Sequence, residues 1–173
     1  MNKKIMYIVT ILSTALLLFL DQIAKYLAVL HLKGQATIPI IKNVFELQYL
    51  ENQGAAFGIM QGKKTFFVIG TLIFLVIVVI LYHNIPLTKR FTPIRIVAVL
   101  IVAGAIGNMI DRVVHQYVID FFYFKLINFP IFNVADIYVV VACILFILLM
   151  LFYYKEEELG QIFPFMKSKK AEE

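Results

Sequence analysis

Gly107-Asn108-Met109-Ile110-Asp111-Arg112, then Val118-Ile119-Asp120-Phe121, then Phe132-Asn133-Val134-Ala135-Asp136 form the stretch whose reading decides the fold. Three aspartates, an arginine and two asparagines stand here between two apolar segments, each long enough to cross a bilayer. An ionisable side chain at the edge of lipid costs several kcal/mol on most scales, so it marks function by default. Carboxylates with asparagine partners at such an edge point to peptide hydrolysis at a membrane surface.

Composition outside that stretch agrees with a membrane setting. Of the 173 residues, 62% are hydrophobic, against ~45–50% in soluble domains, which makes this an integral membrane protein with room for one domain. The net charge of +5 reads as topology signals on an apolar chain, not as a nucleic-acid footprint. The single cysteine, Cys143, excludes an intrachain disulfide and reads as a small buried hydrophobe within a span.

Four spans are expected, over 5–20, 66–82, 94–110 and 137–154. Each approaches the ~20 residues that cross ~30 Å of hydrocarbon. The first follows Lys3 and Lys4 and runs on into Asp21, so it reads as a retained anchor and not a cleaved leader. In the third, Ala103 and Gly107 make a small-xxx-small pair suited to close helix contact. Nine of the sixteen basic residues gather at the termini and in the short loop with Lys89, Arg90 and Arg95. That bias predicts both termini in the cytoplasm and the central aspartates at the outer face.

The outer segment from about Ala28 to Lys64 is too polar for lipid. Phe45, Leu47 and Tyr49 alternate with Glu46 and Gln48, the period of a half-buried strand. Glu51-Asn52-Gln53-Gly54-Ala55-Ala56-Phe57-Gly58 is dense in small residues, which let a backbone approach a neighbouring helix or an extended peptide. The aromatic run from Phe121 to Phe132 reads as an interfacial anchor, with a lipid-binding lip as the alternative.

Within the central stretch, Asn108, Asp111 and Arg112 share one helix face. Asp111 has a structural reading, an ion pair to Arg112 or to Lys25. Asp120 and Asp136 lack a neighbouring cation, and Asp136 also fits an N-terminal cap. Two carboxylates brought together share one proton near neutrality, the state in which one activates water and the other protonates a carbonyl oxygen. Such chemistry requires no metal and no cofactor. His31, His83 and His115 are scattered, and Asp111 with His115 lacks an evident third ligand. Neither a serine-nucleophile elbow nor a phosphate loop occurs. A proton-coupled transporter is the main rival; its sites lie near the bilayer midplane, whereas every acid here lies at a span end or in a loop. A non-catalytic scaffold subunit is the second rival.

Five motifs in order, Asp21-Gln22-x-x-Lys25, Asn52-x-Gly54-Ala55-Ala56-Phe57, Gly107-Asn108-x-x-Asp111-Arg112, Val118-x-Asp120-Phe121 and Phe132-Asn133-x-Ala135-Asp136, resemble those of the lipoprotein signal peptidases (signal peptidase II). The resemblance covers about residues 5–154. It implies an all-α integral membrane protein with four transmembrane helices and a small extracytoplasmic antiparallel β element between helices one and two. It implies a bacterial inner-membrane aspartic endopeptidase that cuts diacylglyceryl-modified prolipoproteins before the lipidated cysteine. Asp120 and Asp136 match the catalytic pair. Asn52, Gly54, Asn108, Arg112 and Asn133 match substrate- or dyad-orienting positions, and Asp21, Lys25 and Asp111 supporting ones. The expected partners are prolipoprotein substrates and membrane lipid, not nucleic acid, with the enzyme acting as a monomer. Residues 1–154 are expected to form the peptidase unit and 155–173 a charged cytoplasmic tail. Ile137 departs from the Ser or Thr common after the last aspartate.

Overall fold

The computed structural model describes residues 2–54 and 63–163. Among these, four helices are long and apolar enough to cross a membrane. Helix α1 (Lys3–Leu32) begins at Asn2, whose side chain accepts the Lys4 amide at 3.0 Å. It ends where Gly34 takes a positive φ of 72°. Expected to give way near Ala28, the helix continues to Leu32, because Ala28 and Leu32 are buried against Ile119 and Phe121. Burial of that face outweighs the rising polarity of the segment.

Two strands follow, β1 (Ile38–Ile41) and β2 (Phe45–Asn52), joined by a turn with Asn43 in the left-handed region. The expected β element between the first two spans is therefore present. Its alternation runs differently from the sequence reading. Glu46 is buried while Phe45 is only half-buried, because Lys125 donates to the Glu46 carboxylate at 2.8 Å and satisfies it.

Helix α2 (Lys64–Asn84) returns through the apolar layer. A single 3-10 turn over Lys89–Phe91 then leads into α3 (Thr92–Val114), which has proline in its first turn. Helix α3 stops at His115, and Gln116, with φ 71°, turns the chain into β3 (Val118–Tyr123). This third strand pairs antiparallel with β2, aligning Leu50 with Asp120 and Asn52 with Val118, in a sheet ordered β1-β2-β3. The aromatic run thus divides. Phe121 is buried, Phe45, Phe122, Phe124 and Phe132 stack on one another, and Leu126, Ile127 and Phe129 are left exposed.

Helix α4 (Val134–Leu148) starts from a capping box and runs into a π-helical turn over Leu149–Tyr153. Beyond it, α5 (Glu156–Ile162) buries Leu159 and Ile162 in a cluster with Met6, Tyr82, Phe91 and Ile94 at the basic end of the bundle. Arg90 holds α5 there by bonding both oxygens of Glu158, at 2.9 and 3.1 Å, and it also reaches the Tyr153 carbonyl.

Helix α3 is the central element, packed against α1, α2 and α4. Close approach depends on glycine. A Cβ on Gly104 would lie 2.6 Å from the Ala135 carbonyl oxygen and 2.7 Å from Val139 Cγ2. One on Gly107 would lie 2.6 Å from Asp21 Oδ2. Backbone cannot yield cheaply, so Gly104→Ala is expected to destabilise by about 1–3 kcal/mol, the usual range for overpacking. The measurement is the melting temperature in detergent; an unchanged value would contradict the tight α3–α4 contact.

Candidate active site

The site residues singled out in the sequence converge at the C-terminal end of α3, although they come from α1, β2, α3, β3 and the start of α4. Asp120 lies on β3 and Asp136 in the first turn of α4. Asn133 sits between them. Its side-chain amide donates to Asp120 Oδ1 at 2.7 Å, its backbone N–H donates to Asp136 Oδ2 at 3.0 Å, and its Oδ1 accepts the Asp136 amide at 3.0 Å. Expected as an ordinary N-terminal cap, Asp136 instead stands at the third helical position of a capping box that orients its carboxylate, and Asn133 is the cap residue.

Each carboxylate has a second amide partner. Asn52 donates to Asp120 Oδ2 at 2.9 Å, and Asn108 donates to Asp136 Oδ1 at 2.8 Å. Asp120 is only 1% exposed. Burial pushes its carboxyl up from 3.8 to about 7, and the neighbouring Asp136 adds to the rise, while the bonds from Asn52 and Asn133 oppose it.

That displacement has a sign. Between 3.8 and about 7 the folded protein keeps a proton that the unfolded chain has shed, so raising the pH through this window lowers stability. Below it both states are protonated, and above it the penalty is constant, a few kcal/mol at most. Asp120→Asn removes the term. Its melting temperature is expected to match wild type near pH 3 and exceed it increasingly up to about pH 8; parallel curves would show that Asp120 ionises normally.

Behind the carboxylates lies a buried ion cluster. Lys25 bonds Asp21 at 2.9 Å and Asp111 at 3.0 Å, and donates to Asn108 Oδ1 at 3.0 Å. Of the two cations proposed for Asp111, Lys25 is the partner. The Asp111 carboxylate also accepts the Ile119 amide at 3.1 Å and Gln22 Nε2 at 3.2 Å. Asp21 accepts the Ala135 amide at 2.9 Å, which ties α1 to the start of α4.

Arg112 turns the other way. Its guanidinium bonds the Gly54 carbonyl at 3.2 Å and the Asn108 carbonyl at 3.4 Å, and lies 4.8 Å from the centre of the Phe67 ring. Gly54 N–H bonds Asn52 Oδ1 at 3.0 Å, so the end of β2 is fastened to the site. Ala55, Ala56 and Phe57 of the same motif, Gly58 after it, and Lys167, Lys169 and Lys170 of the topology argument lie outside the described residues.

A cavity of about 630 Å³ opens beside these groups. Asn52, Asn108, Arg112, Asp120 and Asp136 supply its charged and amide groups, and mostly apolar residues of α3, α4 and the 129–132 segment line much of the rest. A second cavity of about 590 Å³ runs along β2 and meets the first at Asn52 and the 129–131 segment. Two residues escaped the sequence reading. Gln22 bridges Asp21 and Asp111, and its position within the Asp21–Lys25 motif could have exposed it. Phe67, under Arg112, lies in a uniformly apolar helix that offers no signal.

Two buried carboxylates held by asparagine amides line a cavity among membrane-length helices, an arrangement that suits an aspartic-type peptidase. The model of the family described as signal peptidase (SPase) II matches residues 13–152, and the chain belongs to that family. It is similar to the lipoprotein signal peptidase of Caldanaerobacter subterraneus subsp. tengcongensis, with 44% identity over 78% of this chain and 90% of the relative. The lipoprotein signal peptidase of Clostridioides difficile is 44% identical over 78% of this chain and 88% of its own. A bacterial membrane enzyme solved by the in meso method at 1.9 Å superposes with a TM-score of 0.72 at 32% identity, covering 84% of this chain and 94% of that one. The protein is thus a multi-pass bacterial membrane enzyme. Helix α5 lies beyond the matched residues.

Proposed function

We propose that the protein removes signal peptides from prolipoproteins by cleaving before a diacylglyceryl-modified cysteine, with Asp120 and Asp136 as the catalytic dyad. The observation that carries this reading is Asn133, which bonds both carboxylates at once and holds them in the cavity wall. Asp136 sits at a helix N-terminus, where negative charge is favoured, and acts as the ionised member. Asp120, with its carboxyl raised to about 7, holds the shared proton.

Asp136 takes a proton from water, and the water oxygen attacks the scissile carbonyl carbon. Asp120 gives its proton to the carbonyl oxygen. When the tetrahedral intermediate collapses, the carbonyl re-forms, the C–N bond breaks and the leaving nitrogen receives a proton from the dyad. Asn52, Asn108 and Asn133 orient the carboxylates. Arg112 and Gly54 set the cavity edge where the substrate backbone lies, and Asp21, Lys25 and Asp111 support the assembly from behind. The groove along β2 receives chain on one side of the cut.

The exposed apolar tip of Leu126, Ile127 and Phe129 and the apolar body of the cavity suit lipid on the substrate. Residues 1–154 form the peptidase unit, and 155–173 a cytoplasmic tail that begins with α5. The enzyme acts as a monomer. The site faces outward and both termini face the cytoplasm, since Lys3, Lys4, Lys89 and Arg90 share one end of the bundle. A reporter active only outside the cytoplasm, fused after Glu173, is expected to stay silent; an active one would reverse the orientation. The function itself is tested by incubating purified protein with a lipid-modified prolipoprotein and weighing the products. A fragment beginning at the lipidated cysteine supports the reading, and an intact precursor or a cut elsewhere overturns it.

A further inference from the structure

Lys25 is 1% exposed and does not line the cavity, yet its third hydrogen bond leads to the carboxylates. An ammonium has donors only, so the Asn108 atom facing it at 3.0 Å must be the carbonyl oxygen. That choice turns the Asn108 NH₂ toward Asp136 Oδ1, at 2.8 Å. The same Asn108 oxygen accepts from Asn133 Nδ2 at 3.0 Å, which fixes the Asn133 amide with its nitrogen toward Asp120 and its oxygen on the Asp136 amide. Turning over Asn108 would set its NH₂ against the ammonium and against the Asn133 NH₂, and its oxygen against a carboxylate. An amide oxygen has two lone pairs, so Asn108 Oδ1 takes both Lys25 and Asn133 and all the bonds in this chain are satisfied together.

We propose that Lys25 is a positioning residue for hydrolysis: through the Asn108 amide it fixes the direction of every side-chain amide between the ion cluster and the two aspartates, beyond its part in holding α1 to α3. This rests on Asp120 and Asp136 being the dyad. Helix α1 thereby contributes to the chemistry without touching substrate. Loss of Lys25 lets Asn108 rotate, so the carboxylates lose their shared orientation while the cavity keeps its shape.

The test separates position from stability. Lys25→Met alone strands two buried acids and lowers the melting temperature. Adding Asp21→Asn removes one acid and balances the charge. With the pair balanced, the melting temperature is expected to recover while kcat stays roughly 30- to 100-fold low, the scale of a small misplacement of reacting groups, and KM stays near wild type. The acid limb of the pH–rate profile is expected to move upward, since Asp136 keeps Asn133, Asp120 and Arg112 around it, loses Lys25 and Asp21 together as opposite charges, and loses the cation-backed donor Asn108. Recovery of both stability and kcat would overturn the proposal.

A cycle with Asn108→Ser decides the matter even if the balanced variant melts low. If Lys25 acts through Asn108, Lys25→Met adds no further loss of kcat once Asn108 is gone; independent, additive losses overturn the proposal. Asp136→Asn in the same background tests the underlying reading separately. If it remains active, the dyad assignment fails whatever Lys25 does.

Discussion

Asp120→Asn and Asp136→Asn are each expected to reduce single-turnover cleavage by about 10²–10⁴-fold, the contribution of a positioned proton-transfer group. Asparagine preserves the shape of either side chain but cannot pass a proton between water and peptide. The fold should survive both changes, because Asn52, Asn108 and Asn133 keep at least one acceptor at each position. Asp111→Asn is the contrast. Its carboxylate receives Lys25, Gln22 and the Ile119 amide, and one amide oxygen cannot serve three donors, so the melting temperature should fall. Measuring cleavage and melting for all three in one detergent assigns the pair. A stable, inactive Asp111→Asn beside an active Asp120→Asn would move the dyad to Asp111 and Asp136.

Removing the lipid from the substrate is expected to cost about as much as removing a catalytic group. Burying acyl chain contributes ~0.8 kcal/mol per methylene, so five methylenes amount to about 4 kcal/mol, or about 10³-fold in binding. The cavity has the room, at about 630 Å³, and the exposed Phe124 and Phe129 line it. Parallel kinetics on lipidated and unlipidated forms of one precursor should therefore differ chiefly in KM. Equal cleavage of the two would remove lipid from recognition.

The spans could be read from sequence because lipid imposes one requirement, an apolar length, on each of them. The aspartates could be read because charge at such a boundary is costly. Pairing was harder to see. Nothing local distinguishes Arg112 from Lys25 as the partner of Asp111, and adjacency in sequence points to the wrong one, since successive helix residues do not face each other. The third strand was hidden for a related reason. Val118 to Tyr123 is apolar and aromatic enough for an interfacial anchor, and only the Gln116 turn and the free edge of β2 make it a strand. Glu46 inverted the expected alternation because its partner Lys125 arrives from far along the chain.

The ion cluster also bears on the order in which the helices meet. Asp21 and Lys25 stand four residues apart on α1, so the first helix enters the membrane with its own charge already paired, offsetting the few kcal/mol that each would cost alone. It arrives with donors still unspent on Lys25. Helix α2, which follows it from the ribosome, holds no acid and cannot take them up. Helix α3 brings Asp111 and Asn108, and α1 packs along it. The ammonium thus works as a keyed latch: α1 meets α2 through side chains near its start, such as Tyr7 on His83, whereas Lys25 engages α3.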